Sequence, residues 1–210
     1  MARDEERRAR SSETPIVGGL PDLPGIVAAM QLSSGLATHL RGLADELLVK
    51  AVPGATLTRA DRELLATAVS AANDCFYCMD SHGAFAGELL RRANAEGVDA
   101  LVDGVKSGES RGVSAKMAAL LDIARTVQRR PRELTRQDVA RALEAGATDQ
   151  DTQLAVLIAS AFCMYNRMVD GLRAKTPASP DAYRARAAEI AEHGYGDPRV
   201  RSIPGRAAPE

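Results

Sequence analysis

Hydrophobic residues recur at three- and four-residue steps through most of the chain, which is the spacing of an amphipathic α-helix. No stretch of convincing length alternates apolar and polar residues in the manner of a β-strand. Proline, glycine and N-cap residues mark where one helical segment gives way to the next. The pattern predicts an all-α fold with helical segments at 26–48, 58–72, 75–93, 98–105, 114–127, 135–146, 148–172 and 181–193.

The chain divides into a tail, one helical domain and an arm. Residues 1–15 alternate charges of both signs and end in Ser-Ser-Glu-Thr-Pro, which predicts a flexible tail. Residues 16–195 carry the helical segments without an obvious internal boundary. Residues 196–210 are rich in glycine and proline and predict an irregular C-terminal arm, either disordered or extended along a neighbouring subunit.

Two of the helical segments resemble each other. A shift of 90 residues superposes Asp61 on Asp151 and Ser70 on Ser160, and each segment begins with a threonine cap. A duplicated helical hairpin would produce this match, and so would chance resemblance between amphipathic helices.

Composition and charge exclude several classes of protein. The 210 residues suffice for one domain, and 27 Lys and Arg against 28 Asp and Glu leave no general basic surface for nucleic acid or an anionic membrane. The first residues have no apolar core of a signal peptide, and no stretch reaches the roughly 18 apolar residues of a membrane span. Three cysteines are too few for a secreted disulfide scaffold. We therefore expect a cytoplasmic protein with neither nucleic acid nor membrane as partner.

The chemistry concentrates in residues 62–90. Cys75, Cys78 and His82 project within about 60° of one another on a helix, so two thiols and an imidazole share one face. A break at Asn73-Asp74 would fold the preceding helix back and let Glu63 approach them. A carboxylate on an apolar wall is costly to bury without a partner, and paired with His82 it would form a proton relay beside the thiols.

Each of these residues also has a simpler interpretation. The cysteines can fill the core, His82 can be a half-exposed helix residue, and Glu63 can be a first-turn acid that the helix dipole favours. Two Cys, one His and one carboxylate are also a possible zinc set, although the usual second pair of ligands is missing. Core packing gives no reason for all four residues to occur together, so we predict Glu63, Cys75, Cys78 and His82 as catalytic residues, with no metal ligands.

At these residues the sequence resembles the alkylhydroperoxidase AhpD-like, or carboxymuconolactone decarboxylase-like, family. The shared pattern is Arg62-Glu63, then Asn73, Cys75, Cys78 and His82 at the family's intervals, and 166–170 (Asn-Arg-Met-Val-Asp) is similar to a second, non-catalytic landmark. The close match covers about residues 57–92. The joint presence of Glu, two Cys and His is typical of the peroxidase-related branch.

The resemblance implies a mechanism and partners. Cys78 attacks a small hydroperoxide, Cys75 forms the disulfide, and Glu63 with His82 moves protons. It implies no bound cofactor, only the redox-active cysteine pair and a reducing dithiol such as a lipoyl-bearing protein. It also implies a homo-oligomer, a trimer or hexamer, which the apolar helix 154–165 and the C-terminal arm would support.

Two features depart from this expectation. Helix-dipole reasoning favours Cys75 as the stronger thiolate, whereas the family assigns the attack to Cys78. The founding members carry an additional histidine between the cysteines, where this chain has Tyr77. Three alternatives to a peroxidase therefore stay open. The first is a thiol–disulfide reductase or disulfide sensor, the second a non-redox decarboxylase-like enzyme with His82 and Glu63 as acid–base groups, and the third a non-catalytic or zinc-binding protein.

Overall fold

The computed structural model of the chain describes residues 15–177, 179 and 181–197. The predicted N-terminal tail, apart from residue 15, lies outside the described residues. The described part of the chain contains nine α-helices, one short 3₁₀ turn and no β-strand, which confirms the all-α prediction. The helices are α1 Ile26–Met30, α2 Ser34–Leu48, α3 Arg59–Ala72, α4 Phe76–Arg92, α5 Val98–Lys106, α6 Ala115–Arg129, α7 Arg136–Glu144, α8 Asp149–Gly171 and α9 Asp181–His193.

Capping boxes set the start of three of these helices. In each box a threonine side chain accepts from the backbone N–H three residues on, and an aspartate at that position accepts from the threonine N–H. The predicted starts at Thr58, Thr135 and Thr148 are confirmed. The match at a shift of 90 residues includes the caps of α3 and α8, but α8 continues unbroken through the positions that correspond to the turn after α3.

Helix α3 lies at the centre of the bundle, between α4, α6 and α8. Ten of its 14 residues are buried, so a polar side chain on α3 has to find its partners inside the protein. Helix α8 packs its apolar face, including Leu154, Ile158 and Phe162, into the same core, while Leu157 is exposed. The apolar helix that was expected to support subunit contacts therefore packs mostly against its own chain.

An N-terminal strap, residues 20–30, crosses the start of α4. The Gly25 N–H donates to the Lys175 carbonyl over 2.9 Å, and Lys175 forms an ion pair with Asp22. Leu20, Leu23, Ile26 and Ala28 of the strap pack in one apolar cluster with the two cysteines of α4's first turn and its cap. The strap therefore covers the residues that the sequence identifies as reactive.

A C-terminal clasp, residues 190–196, closes the other side. The Arg59 guanidinium donates to the Ile190 and Ala191 carbonyls at 2.7 and 2.8 Å. The Asp45 carboxylate accepts from the N–H groups of Tyr195 and Gly196 at 2.6 and 2.8 Å. The start of the predicted irregular arm thus folds back onto its own chain, while residues 198–210 lie outside the described residues.

No helix in residues 15–177, 179 and 181–197 is both long enough and apolar enough to cross a bilayer.

Candidate active site

A tight turn between α3 and α4 positions the cysteine pair. The Cys75 N–H donates to the Ser70 carbonyl and the Asp74 N–H to the Ala71 carbonyl, which is a Schellman ending of α3. Asp74 takes the left-handed conformation, with φ of 58°, that glycine usually occupies in this motif. Cys75 thereby becomes the N-cap of α4, and Cys78 lies in the first turn of that helix.

The two thiols are buried next to each other and are not joined in a disulfide. The hydrogen bond of the Cys75 thiol to Cys78, together with burial, raises the pKa of Cys75 far above its ordinary value. This direction is opposite to the one that the helix dipole favours for a thiol at the start of a helix. The Cys78 backbone N–H hydrogen-bonds the Cys75 sulfur and offsets only part of the rise.

The surroundings of the thiols are apolar except for one acid. Val169 and Ala174 flank the pair from the end of α8, and the strap lies over it. The Asp170 carboxyl interacts with the Cys75 thiol, and desolvation by burial raises the pKa of Asp170 to about 6 although that contact opposes the shift.

Tyr77, which stands where founding members carry an additional histidine, is partly buried between the strap and α9. Its ring lies 6.1 Å from the Tyr183 ring, and burial raises its pKa to about 12. A Cβ built on Gly25 would come within 2.1 Å of that ring. Tyr77 therefore acts here as the surface on which the strap rests.

The predicted approach of Glu63 to His82 is present across the α3–α4 turn. His82 Nδ1 lies 2.7 Å from Glu63 Oε2, and the Glu63 side chain is 1% exposed while that of His82 is 12% exposed. The Phe162 ring meets the imidazole edge to face at 4.5 Å and holds its plane. Since His82 follows Cys78 by about one helical turn, the two side chains lie on the same face of α4.

Tyr195 of the C-terminal clasp completes this group. Its hydroxyl donates to Glu63 Oε1 over 2.7 Å and lies 3.3 Å from His82 Nδ1. Sequence reasoning missed Tyr195, because it stands in a Gly- and Pro-rich segment 132 residues from Glu63. The sequence offers one signal for it: Tyr195 is an aromatic residue in a segment with few other apolar residues.

A chain of amides fixes the turn from the other side. Asn73 Nδ2 donates to Asn166 Oδ1 at 2.8 Å, and Gln128 Nε2 donates to Asn73 Oδ1 at 2.8 Å. Asn166 Nδ2 in turn donates to the Ser70 hydroxyl. Cys163, which the sequence suggests is a buried core residue, is only partly buried and lies 3.7 Å from Asn73 Nδ2.

Arg62 points away from the site. Its guanidinium donates to the Lys50 carbonyl over 2.7 Å. Of the Arg-Glu pair in the motif, Arg62 therefore stabilises the fold, and only Glu63 contributes to the site. Among the described residues, no group of three or more His, Cys, Asp and Glu side chains is arranged to hold a metal ion.

A cleft of about 730 Å³ opens between α4, α5 and α9, and is lined by charged residues such as Asp80, Lys106 and Arg91. None of the four predicted site residues lines it, because it lies on the opposite face of α4. We therefore place the candidate active site at the thiol pair and the Glu63–His82–Tyr195 group, and not in the cleft.

The four predicted site residues lie in a segment that is similar to a known family. The model of the carboxymuconolactone decarboxylase family matches residues 37–89, the segment that holds the carboxylate, both thiols and the imidazole. No curated protein matches the sequence.

Two crystal structures share the fold. One is an uncharacterised peroxidase-related protein from Ralstonia eutropha, described as an alkylhydroperoxidase AhpD core, with 25% identity and a TM-score of 0.64 over 77% of this chain and 80% of that chain. The other is an uncharacterised peroxidase-related protein from Silicibacter sp., with 21% identity and a TM-score of 0.65 over 81% of this chain and 91% of that chain. The matched segment and the shared all-helical architecture make this chain similar to the AhpD-like proteins of the carboxymuconolactone decarboxylase family.

Proposed function

We propose that this protein is a thiol-dependent peroxidase that reduces small hydroperoxides through the Cys75/Cys78 couple. The observation that carries the proposal is the buried Glu63–His82 pair at 2.7 Å, one helical turn beyond Cys78. A buried carboxylate that orients an imidazole beside a thiol is the arrangement that activates a cysteine nucleophile. Both similar crystal structures are of proteins described as peroxidase-related, which favours this chemistry over the alternatives.

The first step consumes the peroxide. His82 takes the Cys78 proton, and the thiolate attacks the terminal oxygen of R–O–O–H, so that the O–O bond breaks and Cys78 becomes a sulfenic acid. The alkoxide leaves with the proton that His82 returns, as R–OH. Glu63 stabilises the imidazolium that exists between these two proton transfers.

The second step forms the disulfide. The Cys75 sulfur attacks the Cys78 sulfenic sulfur, the S–O bond breaks, and the hydroxide leaves as water with the Cys75 proton. Asp170, whose carboxyl hydrogen-bonds the Cys75 thiol, passes that proton from Cys75 to the leaving hydroxide in this proposal. A reducing dithiol, for which a lipoyl-bearing protein is our expectation, then restores both thiols and is itself oxidised to a disulfide.

The high pKa of Cys75 suits this order of events. A thiol that stays protonated does not compete for peroxide, and it supplies a hydrogen bond that stabilises the Cys78 thiolate. Once Cys78 is oxidised to the sulfenic acid, its thiolate charge no longer raises the pKa of Cys75. Cys75 can then lose its proton in the second step.

Thiol counting tests the proposal directly. One equivalent of an alkyl hydroperoxide should remove two free thiols per chain, and dihydrolipoamide should restore them. The Cys75→Ser variant should stop at a Cys78 sulfenic acid that a dimedone probe labels, whereas Cys78→Ser should consume no peroxide. Cys163→Ser is the matched control, because it removes a thiol outside the couple and should retain the two-thiol loss.

Other outcomes would favour the alternatives. If peroxide consumes no thiol in the wild-type protein, the redox proposal is wrong. If the two serine variants also retain an acid–base activity on a lactone acid, the decarboxylase-like function is correct. Stoichiometric zinc that protects both thiols would instead indicate a metal-binding protein.

A further inference from the structure

We propose that Tyr195 is a positioning residue: its hydroxyl keeps Glu63 as an ionised acceptor and so keeps His82 in the tautomer whose Nε2 is free to take a proton. The inference rests on the proposed function for the reaction that it serves, but the hydrogen-bond arrangement can be measured by itself. It assigns a catalytic purpose to the C-terminal clasp, which the sequence motif does not include.

The geometry gives each carboxylate oxygen its own donor. Glu63 Oε1 accepts from the Tyr195 hydroxyl and Oε2 faces His82 Nδ1, both at 2.7 Å. Burial and the nearby Glu63 charge raise the pKa of Tyr195 well above its ordinary value, so the phenol keeps its proton and acts as the donor. The Tyr195 hydroxyl has one proton, and it is used by Glu63.

The tautomer of His82 follows from this arrangement. An ionised carboxylate can only accept, so the proton between Oε2 and Nδ1 belongs to the imidazole. A neutral imidazole with a proton on Nδ1 has none on Nε2, and Nε2 is then the nitrogen that can take a proton from Cys78. Tyr195 acts on Cys78 through Glu63 and His82 and does not need to contact the substrate.

Loss of the hydroxyl would reverse the arrangement. Glu63 is fully buried, so Oε1 without its donor favours the protonated carboxyl over the carboxylate. A protonated carboxyl donates to Nδ1 and moves the imidazole proton to Nε2, where His82 can no longer accept from Cys78. The charged groups that influence Tyr195 are Glu63, Arg59 and Arg186.

The clasp holds the hydroxyl in place through its backbone and not through the phenol. Asp45 accepts from the Tyr195 N–H at 2.6 Å, and Arg59 binds the two carbonyls at the end of α9. The Tyr195→Phe variant therefore removes the hydrogen bond while the clasp stays attached. Asp45→Ala does the reverse: it retains the hydroxyl and loosens the segment that delivers it.

Nitrogen-15 NMR of the three histidine rings, at about pH 8 where imidazole is neutral, tests the inference without any peroxide. We expect His82 to carry its proton on Nδ1 in the wild-type protein and mainly on Nε2 in Tyr195→Phe, with a partial change in Asp45→Ala. The matched control is Tyr165→Phe, which loses another buried hydroxyl, bonded to the Leu40 carbonyl at 2.7 Å, and should leave His82 unchanged. A proton on Nε2 in the wild-type protein, or an unchanged tautomer in Tyr195→Phe, overturns the inference.

The rate at which hydroperoxide consumes the Cys78 thiol gives the second readout. In Tyr195→Phe we expect about a tenfold slower reaction at pH 8, where the tautomer is measured, and a smaller difference at higher pH, whereas Tyr165→Phe should show the wild-type pH dependence. An equal loss at every pH would indicate a merely structural tyrosine and contradict the inference. If the wild-type protein consumes no thiol at all, the proposed function fails, and the NMR result still decides the role of Tyr195.

Discussion

The strap over the thiols makes Gly25 the most informative position to substitute. Gly25 has φ of 50° and ψ of −132°, a region that L-residues avoid, and an added Cβ would meet the Tyr77 ring at 2.1 Å. The strained backbone costs about 1–3 kcal/mol. Forcing a methyl group into a filled contact costs about 1–3 kcal/mol more.

We therefore expect Gly25→Ala to weaken the docking of the strap by about 2–6 kcal/mol. Since every 1.4 kcal/mol is a factor of about ten, the population of chains with an open strap should rise at least tenfold. Native-state alkylation followed by peptide mass spectrometry measures this opening, because it separates the Cys75–Cys78 peptide from that of Cys163. Urea unfolding gives the accompanying change in the free energy of unfolding.

A second glycine gives the matched control. Gly42 lies inside α2 with no neighbouring atom within 4 Å of an added Cβ, so Gly42→Ala should stabilise the protein by about 0.5–1 kcal/mol and leave thiol labelling unchanged. If Gly25→Ala has the stability and the thiol labelling of the wild-type protein, the strap does not depend on the close contact between Gly25 and the Tyr77 ring.

Three further substitutions test the electrostatics and the polar contacts. The pKa of Asp170 is raised from 3.8 to about 6, so between these pH values the folded state holds a proton that the unfolded state has released. The free energy of unfolding should therefore fall as pH rises from about 4 to 6. Urea unfolding of Asp170→Asn should show no such fall. Burial raises the pKa of Asp151, but hydrogen bonds from Thr56 and neighbouring groups outweigh it, so the pKa is lowered overall. The ionised Asp151 therefore stabilises the fold above pH 3.8, and this stabilisation is lost as pH falls through the lowered pKa. Asp151→Asn should lower the free energy of unfolding by at least about 2 kcal/mol at pH 7 and by less near pH 3. Asn73→Ala should lower the free energy of unfolding by about 1–3 kcal/mol, because Asn166 Oδ1 loses its donor and Gln128 Nε2 keeps only the Ala72 carbonyl; a change under about 0.5 kcal/mol would contradict that role.

Local signals made much of the fold and part of the site predictable. The threonine–aspartate boxes give the helix starts, and Asn73-Asp74 gives the turn that folds α4 back on α3. Once that turn is accepted, the meeting of Glu63 and His82 follows, because a carboxylate on the most buried helix has to find a partner nearby.

Small shifts in register and long separations in sequence account for what was missed. The sequence predicts Cys75 inside the first turn of α4, whereas the helix begins one residue later and makes Cys75 its N-cap. The strap and the clasp have short or irregular sequences, and their contacts depend on the packing of the whole bundle. Nothing local in Tyr195 indicates a partner 132 residues earlier.

The distance along the chain between Glu63 and Tyr195 has a consequence for synthesis. A ribosome that adds about 5–20 residues each second needs on the order of 10 s to make the 132 residues between them. During that interval the nascent bundle can assemble around a carboxylate that has only one of its two donors. The Glu63 carboxylate therefore gains its second donor only after Tyr195 has been synthesised, long after both thiols have been added to the chain.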